Sequence, residues 1–271
     1  MSDLTDFDVL MPVYIGDEPD IATGSIESVL NNTAQPKRFV IFKDGPVKEP
    51  LERYLDTLGN KYSHIHICGT EINHGLGSAL NAGLTYCQSD WVFRCDADDI
   101  NDPRRFELQI EEILKNPCDV LGTQVTEVDP ISGAHKTKRV PIDPQSIKKF
   151  AVFRNPINHM SVLFRKSAVV SVGGYPNIKL KEDYALWLIL INAGYVLKNS
   201  EKKLVDARAG DSMVSRRRGL VSLKSELDLF LFRVKKCDNF IFSALFFFAL
   251  RSMILLLPTG LLKQVYILMR K

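Results

Sequence analysis

Short apolar runs alternate with amphipathic stretches through the first half of the chain, and this alternation limits the possible folds more than any other feature. Phe7–Val13, Phe39–Lys43, His64–Cys68 and Trp91–Cys95 read as strands. Ile26, Val29 and Leu30 recur at helical spacing behind Ser25, a residue suited to a cap. Leu76–Cys87 carries Leu76, Ala79, Leu80 and Leu84 on one helical face. Asp102-Pro103 opens a further helix through Leu114, with proline at the first helical position. Strands separated by such helices build βαβ units, so the expected class is α/β with a doubly wound, mostly parallel sheet. Ligands of such sheets bind beyond the carboxyl ends of the strands. Three polar turns fall there: the loop after Val13, Asp44-Gly45-Pro46 and Asp96–Asp99.

The second half is less regular. Val120–Val128 and Ile157–Phe164 read as strands, Gly173-Gly174-Tyr175 as a turn, and Glu182–Ala193 as a helix entering the core. At 271 residues, 45% hydrophobic and 25% charged, the chain is an ordinary globular protein able to bury its core without disulfides. Its five cysteines are odd in number and lack C-x-x-C spacing, which argues against a disulfide framework or a zinc site. A net charge of +3 is too small to point to nucleic acid. The first eight residues have no basic or apolar run, so no secretory signal is expected and a cytosolic catalytic face is the default.

Asp96-Ala97-Asp98-Asp99 at a strand end is the strongest chemical signal. Carboxylates this close repel unless a cation lies between them, and Mn²⁺ or Mg²⁺ with oxygen ligands meets that need. A solvated acidic turn capping the next helix accounts for the same residues. Asn73–Gly83 is rich in small residues, which allow either close approach of an anion to helix amides or tight helix–sheet packing. Glu182-Asp183 at a helix start suits a general base in a cleft, or an acidic pair on the helix dipole. His64 and His66 share a strand face without a third ligand, and Trp91 and Trp187 read as core.

Taken in order, Met11-Pro12-Val13-Tyr14, Asp44, Asn73–Gly83, Asp96–Asp98 with Pro103-Arg104, Gly173-Gly174-Tyr175 and Glu182-Asp183 form a specific set. With it the chain resembles the family 2 glycosyltransferases of GT-A fold, in particular those that build bacterial O-antigen, capsule and exopolysaccharide. The resemblance implies an inverting enzyme that moves a hexose (galactose, glucose or N-acetylhexosamine) from a UDP-sugar to a lipid-linked, polyprenyl diphosphate oligosaccharide, forming a β-glycosidic bond. It implies that Pro12, Val13 and Tyr14 wall the nucleotide pocket, that Asp44 holds the uracil, and that Asn73 and Gly75 belong to the same site. Asp96 corresponds to the residue near the ribose, Asp98 to the metal ligand, Asp183 to the catalytic base with Glu182 beside it, and His159 to a histidine of the acceptor region. Many members carry Arg-x-His after the last core strand, whereas this chain has Arg208-Ala209-Gly210. Arg208 or the run Arg216–Arg218 is then expected to meet the leaving diphosphate; the arginine run equally suits anionic lipid.

The expected domains are a GT-A domain over 1–218 and a helical, membrane-associating region over 219–271. Residues 240–257 are apolar except for Ser243, Arg251 and Ser252. They span about 27 Å as a helix, a borderline crossing length, and Arg251 in the middle costs about 2.5–3.5 kcal/mol on insertion scales. Helices lying in the interface are favoured over a span, with basic residues at the headgroups; burial against the domain or a second copy, as a homo-oligomer, is the other course. The resulting location is peripheral, on the cytoplasmic face of the inner membrane. Three rivals share parts of this pattern. A phosphatase with an aspartyl nucleophile in a D-x-D turn usually places that turn after the first strand, and here it follows the fourth. A sugar nucleotidyltransferase needs a basic, glycine-rich loop after the first strand, and Tyr14–Asp20 is acidic. A catalytically inactive scaffold that only binds sugar nucleotides does not need Asp98 and Asp183 together.

Overall fold

Phe7–Val13 (β1) is buried along nearly its whole length, as a strand covered on both faces must be. It pairs in parallel with β2 (Arg38–Asp44) on one side and β4 (Trp91–Arg94) on the other, and β3 (Ile65–Thr70) extends the sheet beyond β2. The computed structural model describes residues 6–209, 220–236, 245–246 and 248–250. The sheet continues from β4 through β8 (Leu163–Arg165), β6 (Val120–Val128) and β9 (Leu197–Arg208) to β5 (Ile100–Asn101), with β7 (His135–Lys138) hairpinned onto β6. β1, β2, β3, β4, β6 and β9 all run in one direction, and the short β5, β7 and β8 run against them. The expected mostly parallel sheet is therefore present.

Period-two alternation sorts the core into two layers. Val9, Met11 and Val13 pack against α1 (Pro19–Leu30), α2 (Glu49–Lys61) and α4 (Arg105–Lys115). Leu10, Val40 and Phe42 pack on the opposite face against α3 (Leu76–Tyr86), α5 (Pro144–Ala151), α6 (Lys166–Ser171) and α7 (Glu182–Asn192). Trp91 and Trp187 are core residues, and Cys87, Cys95 and Cys118 are buried free thiols. Cys237 lies outside the described residues.

Three local expectations change. Ser25 is not a cap: α1 starts at Pro19, and the buried Ser25 hydroxyl donates to the Ile21 carbonyl one turn back. Pro103 precedes α4 rather than opening it; the Asp102 carboxylate accepts from the Arg104 amide and closes the turn. Ile157–Phe164 is not one strand, because Asn158 and Ser161 bond to Thr123 through a 3₁₀ turn at His159–Ser161 and leave only Leu163–Arg165 extended.

The helix opening the C-terminal region, α8 (Leu220–Lys236), packs on the back of α7. Leu229 enters a cluster with Tyr184, Ala185 and Leu188, and Arg233 donates to the Val152 carbonyl at 3.0 Å. Lys181, just before α7, pairs with Glu226 at 2.6 Å. Phe248 stacks on Phe230 with centroids 5.2 Å apart. Among the described residues no helix is long and apolar enough to cross a membrane. The rest of 240–257 and Arg216–Arg218 lie outside the described residues.

Leu180, half-exposed and two residues before Glu182, adopts a left-handed φ of 66°. A branched side chain there costs roughly 1–2 kcal/mol, against the roughly 0.5–1 kcal/mol of extra chain entropy that glycine carries. Leu180→Gly is expected to raise the unfolding midpoint slightly, by up to about 1 kcal/mol of stability, in a thermal melt. A clear loss would mean that the leucine side chain makes a contact worth more than its strain.

Candidate active site

β4 ends on a charged residue in an otherwise apolar run, Trp-Val-Phe-Arg, and that residue organises the site. Arg94 is 2% exposed, and both terminal nitrogens of its guanidinium donate to the Asp96 carboxylate, Nη1 at 2.6 Å. The Asp96–Asp99 turn then crosses toward β9, where the buried Asp99 accepts the Arg208 amide at 2.9 Å. Burial, followed by the Asp96 and Asp98 charges, pushes the Asp99 carboxyl well above its usual range. Asp98 is the exposed member of the turn.

Asp98 lines a cleft of 180 Å³ together with Tyr14, Asp17, Glu18, Pro130 and Arg208. The Tyr14 amide donates to Asp17 at 2.8 Å, and a Cβ on Gly16 would sit 2.4 Å from the Tyr14 ring, so glycine is needed for the ring to fold back here. Burial, opposed by the Tyr14 hydrogen bond, raises Asp17 to about 7. Pro12 is half-buried beside the cleft's first strand, whereas Val13 is 1% exposed and points into the core. Of the wall expected of Pro12, Val13 and Tyr14, it is Tyr14 that lines this cleft, and Val13 is turned away from it.

Asp44, Asn73 and Gly75 come together at the ends of β2 and β3. The two Asp44 carboxylate oxygens accept the His74 and Gly75 amides at 2.7 and 2.9 Å, and the Asp44 carbonyl accepts from Asn73 Nδ2. Gly45, at φ 81°, lets the Asn73 backbone approach, since a Cβ there would lie 2.8 Å from its nitrogen. Asp44 thus fixes the loop that leads into α3.

The second carboxylate pair stands at the N-terminus of α7. Asp183 accepts from Asn155 Nδ2 at 2.6 Å and from the Tyr184 amide at 2.7 Å. Burial and then the Asp183 charge raise Glu182 to about 7, with Arg94 pulling the other way. His159 is buried, its Nε2 3.0 Å from the Tyr175 hydroxyl and its ring edge-on to Trp187. Burial, then Arg94, holds it well below the usual histidine range, so it is neutral at physiological pH. It lies beneath the site rather than on its surface.

The donor set suits a hard divalent cation: carboxylate oxygens of Asp96, Asp98 and Asp99 lie within 4.8 Å of one another, the one such group among the described residues. Of the three, Asp96 pairs with Arg94, Asp99 is buried, and Asp98 is exposed on the cleft. Mn²⁺ or Mg²⁺ therefore fits here.

The model of the glycosyl transferase family 2 matches residues 8–169, from the first strand past the carboxylate turn and into α6. The chain belongs to this family. The family 2 transferase is 39% identical, over 84% of its own length and 83% of the relative's, to the UDP-Gal:alpha-D-GlcNAc-diphosphoundecaprenol beta-1,3-galactosyltransferase of Escherichia coli. It is 36% identical, over 96% and 97% of the two chains, to the amylovoran biosynthesis glycosyltransferase AmsE of Erwinia amylovora. The crystal structure of S. aureus TarS 1-349 in complex with UDP superposes with a TM-score of 0.64 at 15% identity, covering 92% of this chain and 70% of that one. The α/β fold of the transferase is thus GT-A-like.

Sequence reasoning missed Arg94, Asp17 and Asn155 in this transferase. Arg94 left a readable trace, a charge in a strand whose other three residues are apolar. Asp17 and Asn155 left none, because each is a polar loop residue whose partner is known only once the loops are placed.

Proposed function

We propose that this transferase moves a hexose, with galactose the first choice, from a UDP-sugar to a hydroxyl of a polyprenyl diphosphate-linked acceptor, with inversion. One observation carries the reading. Two carboxylates in different surroundings support it: Asp98 in a cleft with Arg208, and, at the start of α7, Asp183 held by Asn155 beside a carboxyl raised to about 7. The name of the relative at 39% identity supports the donor, the acceptor class and the β-linkage.

In this mechanism Tyr14 and Asp44 bind the nucleoside end of the donor, Asp44 also fixing the loop that follows β3. Arg208 offers its charge to the diphosphate. Asp183 takes the proton of the acceptor hydroxyl, whose oxygen forms the new bond to the anomeric carbon as the bond to the phosphate oxygen breaks and UDP leaves with the electron pair. Asp98 would hold a Mn²⁺ or Mg²⁺, which when bound would supply Lewis-acid charge neutralisation. Asn155 orients the base, and the neighbouring Glu182 raises its basicity once ionised. The outer face of α8 exposes Val221, Leu227 and Leu231, and Lys235 and Lys236 follow at its end; this favours peripheral attachment at the cytoplasmic face, next to a lipid-linked acceptor.

Calorimetric titration with UDP and with GDP, each with and without Mn²⁺, tests the donor class. Metal-dependent binding of UDP over GDP is expected; equal binding of both, or of neither by folded protein, contradicts the reading. Turnover is expected to rise with pH along a limb near 7 that belongs to Glu182. Asp17 titrates in the same range, so the limb should survive in Asp17→Asn and vanish in Glu182→Gln. The stability effect has the opposite sense. Both acids bind protons more tightly when folded, so their contribution is full below the unfolded carboxyl range near 4 and is lost as pH rises through about 7.

A further inference from the structure

We propose that Arg94 is a positioning residue that withdraws Asp96 from the metal's ligand set and fixes its carboxylate toward the donor. The inference rests on the function proposed above. Arg94 is fixed at every level. Its amide donates to the Val162 carbonyl at 3.0 Å, its carbonyl accepts from Arg105 Nη2 at 2.9 Å, and its guanidinium forks onto Asp96. Arg105, itself fully buried, is anchored by Asn101 and by Gln109, the latter at 3.0 Å. One arginine therefore holds the Asp96 side chain, and a second holds the backbone behind it.

Stability is a poor explanation for this arrangement. Buried ion pairs are replaced by apolar residues with little loss in many proteins, and the three preceding strand residues are apolar already. Arg94 Nε is buried with no hydrogen-bond acceptor among the described residues, so the guanidinium is not fully satisfied by the fold. What the planar fork does supply is a fixed carboxylate plane with its charge cancelled. Asp96 then presents a set orientation to the donor, with its charge beside Asp98 cancelled. On its other side the same charge acts on Glu182, His159 and Tyr175, favouring the ionised form of Glu182 and the neutral form of His159. The groups that act on Glu182 are the Asp183 charge and the backbone amides at Lys181 and Glu182 on its own segment, and Arg94 from the sheet; the Glu182 charge in turn acts on the Tyr175 hydroxyl.

Direct titration with Mn²⁺, and with UDP in the presence of Mn²⁺, tests this in Arg94→Met, Arg94→Lys and the double variant Arg94→Met/Asp96→Asn. Arg94→Met frees Asp96 and should tighten Mn²⁺ binding by about tenfold while weakening UDP by at least that factor. The double variant should return Mn²⁺ affinity to the wild-type value and leave UDP weak. Arg94→Lys keeps the buried charge but loses the fork, so UDP affinity should fall about tenfold while the limb near pH 7 stays in place; in Arg94→Met, where the charge is gone, the limb should move to higher pH. If Arg94→Met does not fold, the other two variants decide. Arg94→Lys with UDP affinity and Mn²⁺ affinity both within twofold of wild type overturns the proposal. Wild-type protein that binds no UDP overturns the proposed function instead, and the Mn²⁺ titrations still judge Arg94.

Discussion

Asp183→Asn is expected to lower turnover by about 10²–10⁴-fold while UDP affinity in the presence of Mn²⁺ stays within about twofold of wild type. The amide matches the carboxylate in shape, so the bond from Asn155 (2.6 Å in the native chain) can be replaced by one to the amide oxygen and the helix end is preserved. What disappears is the ability to accept a proton. A base that acts only on the acceptor should leave the donor's binding untouched, so the loss belongs in kcat and not in the donor KM. Single-turnover measurements with saturating donor separate the two. Near-normal turnover would remove Asp183 from the role and direct attention to Glu182, the adjacent carboxyl raised to about 7.

Asp98→Ala should have a comparable effect by a different route. It removes the exposed carboxylate of the cleft while Asp96 stays on Arg94 and Asp99 stays on the Arg208 amide. The turn has its own anchors, so the fold should survive. Loss of several kcal/mol of charge stabilisation corresponds to about 10²–10³-fold in kcat/KM. The rate should also lose its dependence on Mn²⁺ concentration, and chelation of the wild-type enzyme should reproduce the defect. A variant that responds to Mn²⁺ as wild type does would show that the metal, if used, is held elsewhere.

These expectations rest on features of unequal legibility. The sheet could be read because its strands alternate with helices, and Val9, Met11 and Val13 face one layer while Leu10 faces the other. The carboxylate turns could be read because they sit at strand ends, where the chain must leave the core. Helix starts were harder. Ser25 has the chemistry of a cap, yet α1 begins six residues earlier because Pro19 suits a first turn. Burial decided two further cases. Val13 belongs to the sequence run of the pocket wall, but alternation turns its side chain inward. His159 sits under the site, where Tyr175 and Trp187 enclose it, and no local pattern distinguishes that from an exposed histidine. Arg94 shows the same limit from the other side. Its charge in an apolar strand was visible, but that it grips Asp96 and also acts on the far helix is a property of packing that brings β4 and α7 together.

Release of UDP from UDP-galactose, measured with and without a GlcNAc-diphosphate-lipid acceptor, tests the central claim most directly. The account predicts acceptor-dependent release with one β-linked galactose appearing on the lipid for each UDP formed. Folded protein that binds UDP with Mn²⁺ but releases none, across UDP-galactose, UDP-glucose and their N-acetyl forms, would contradict it.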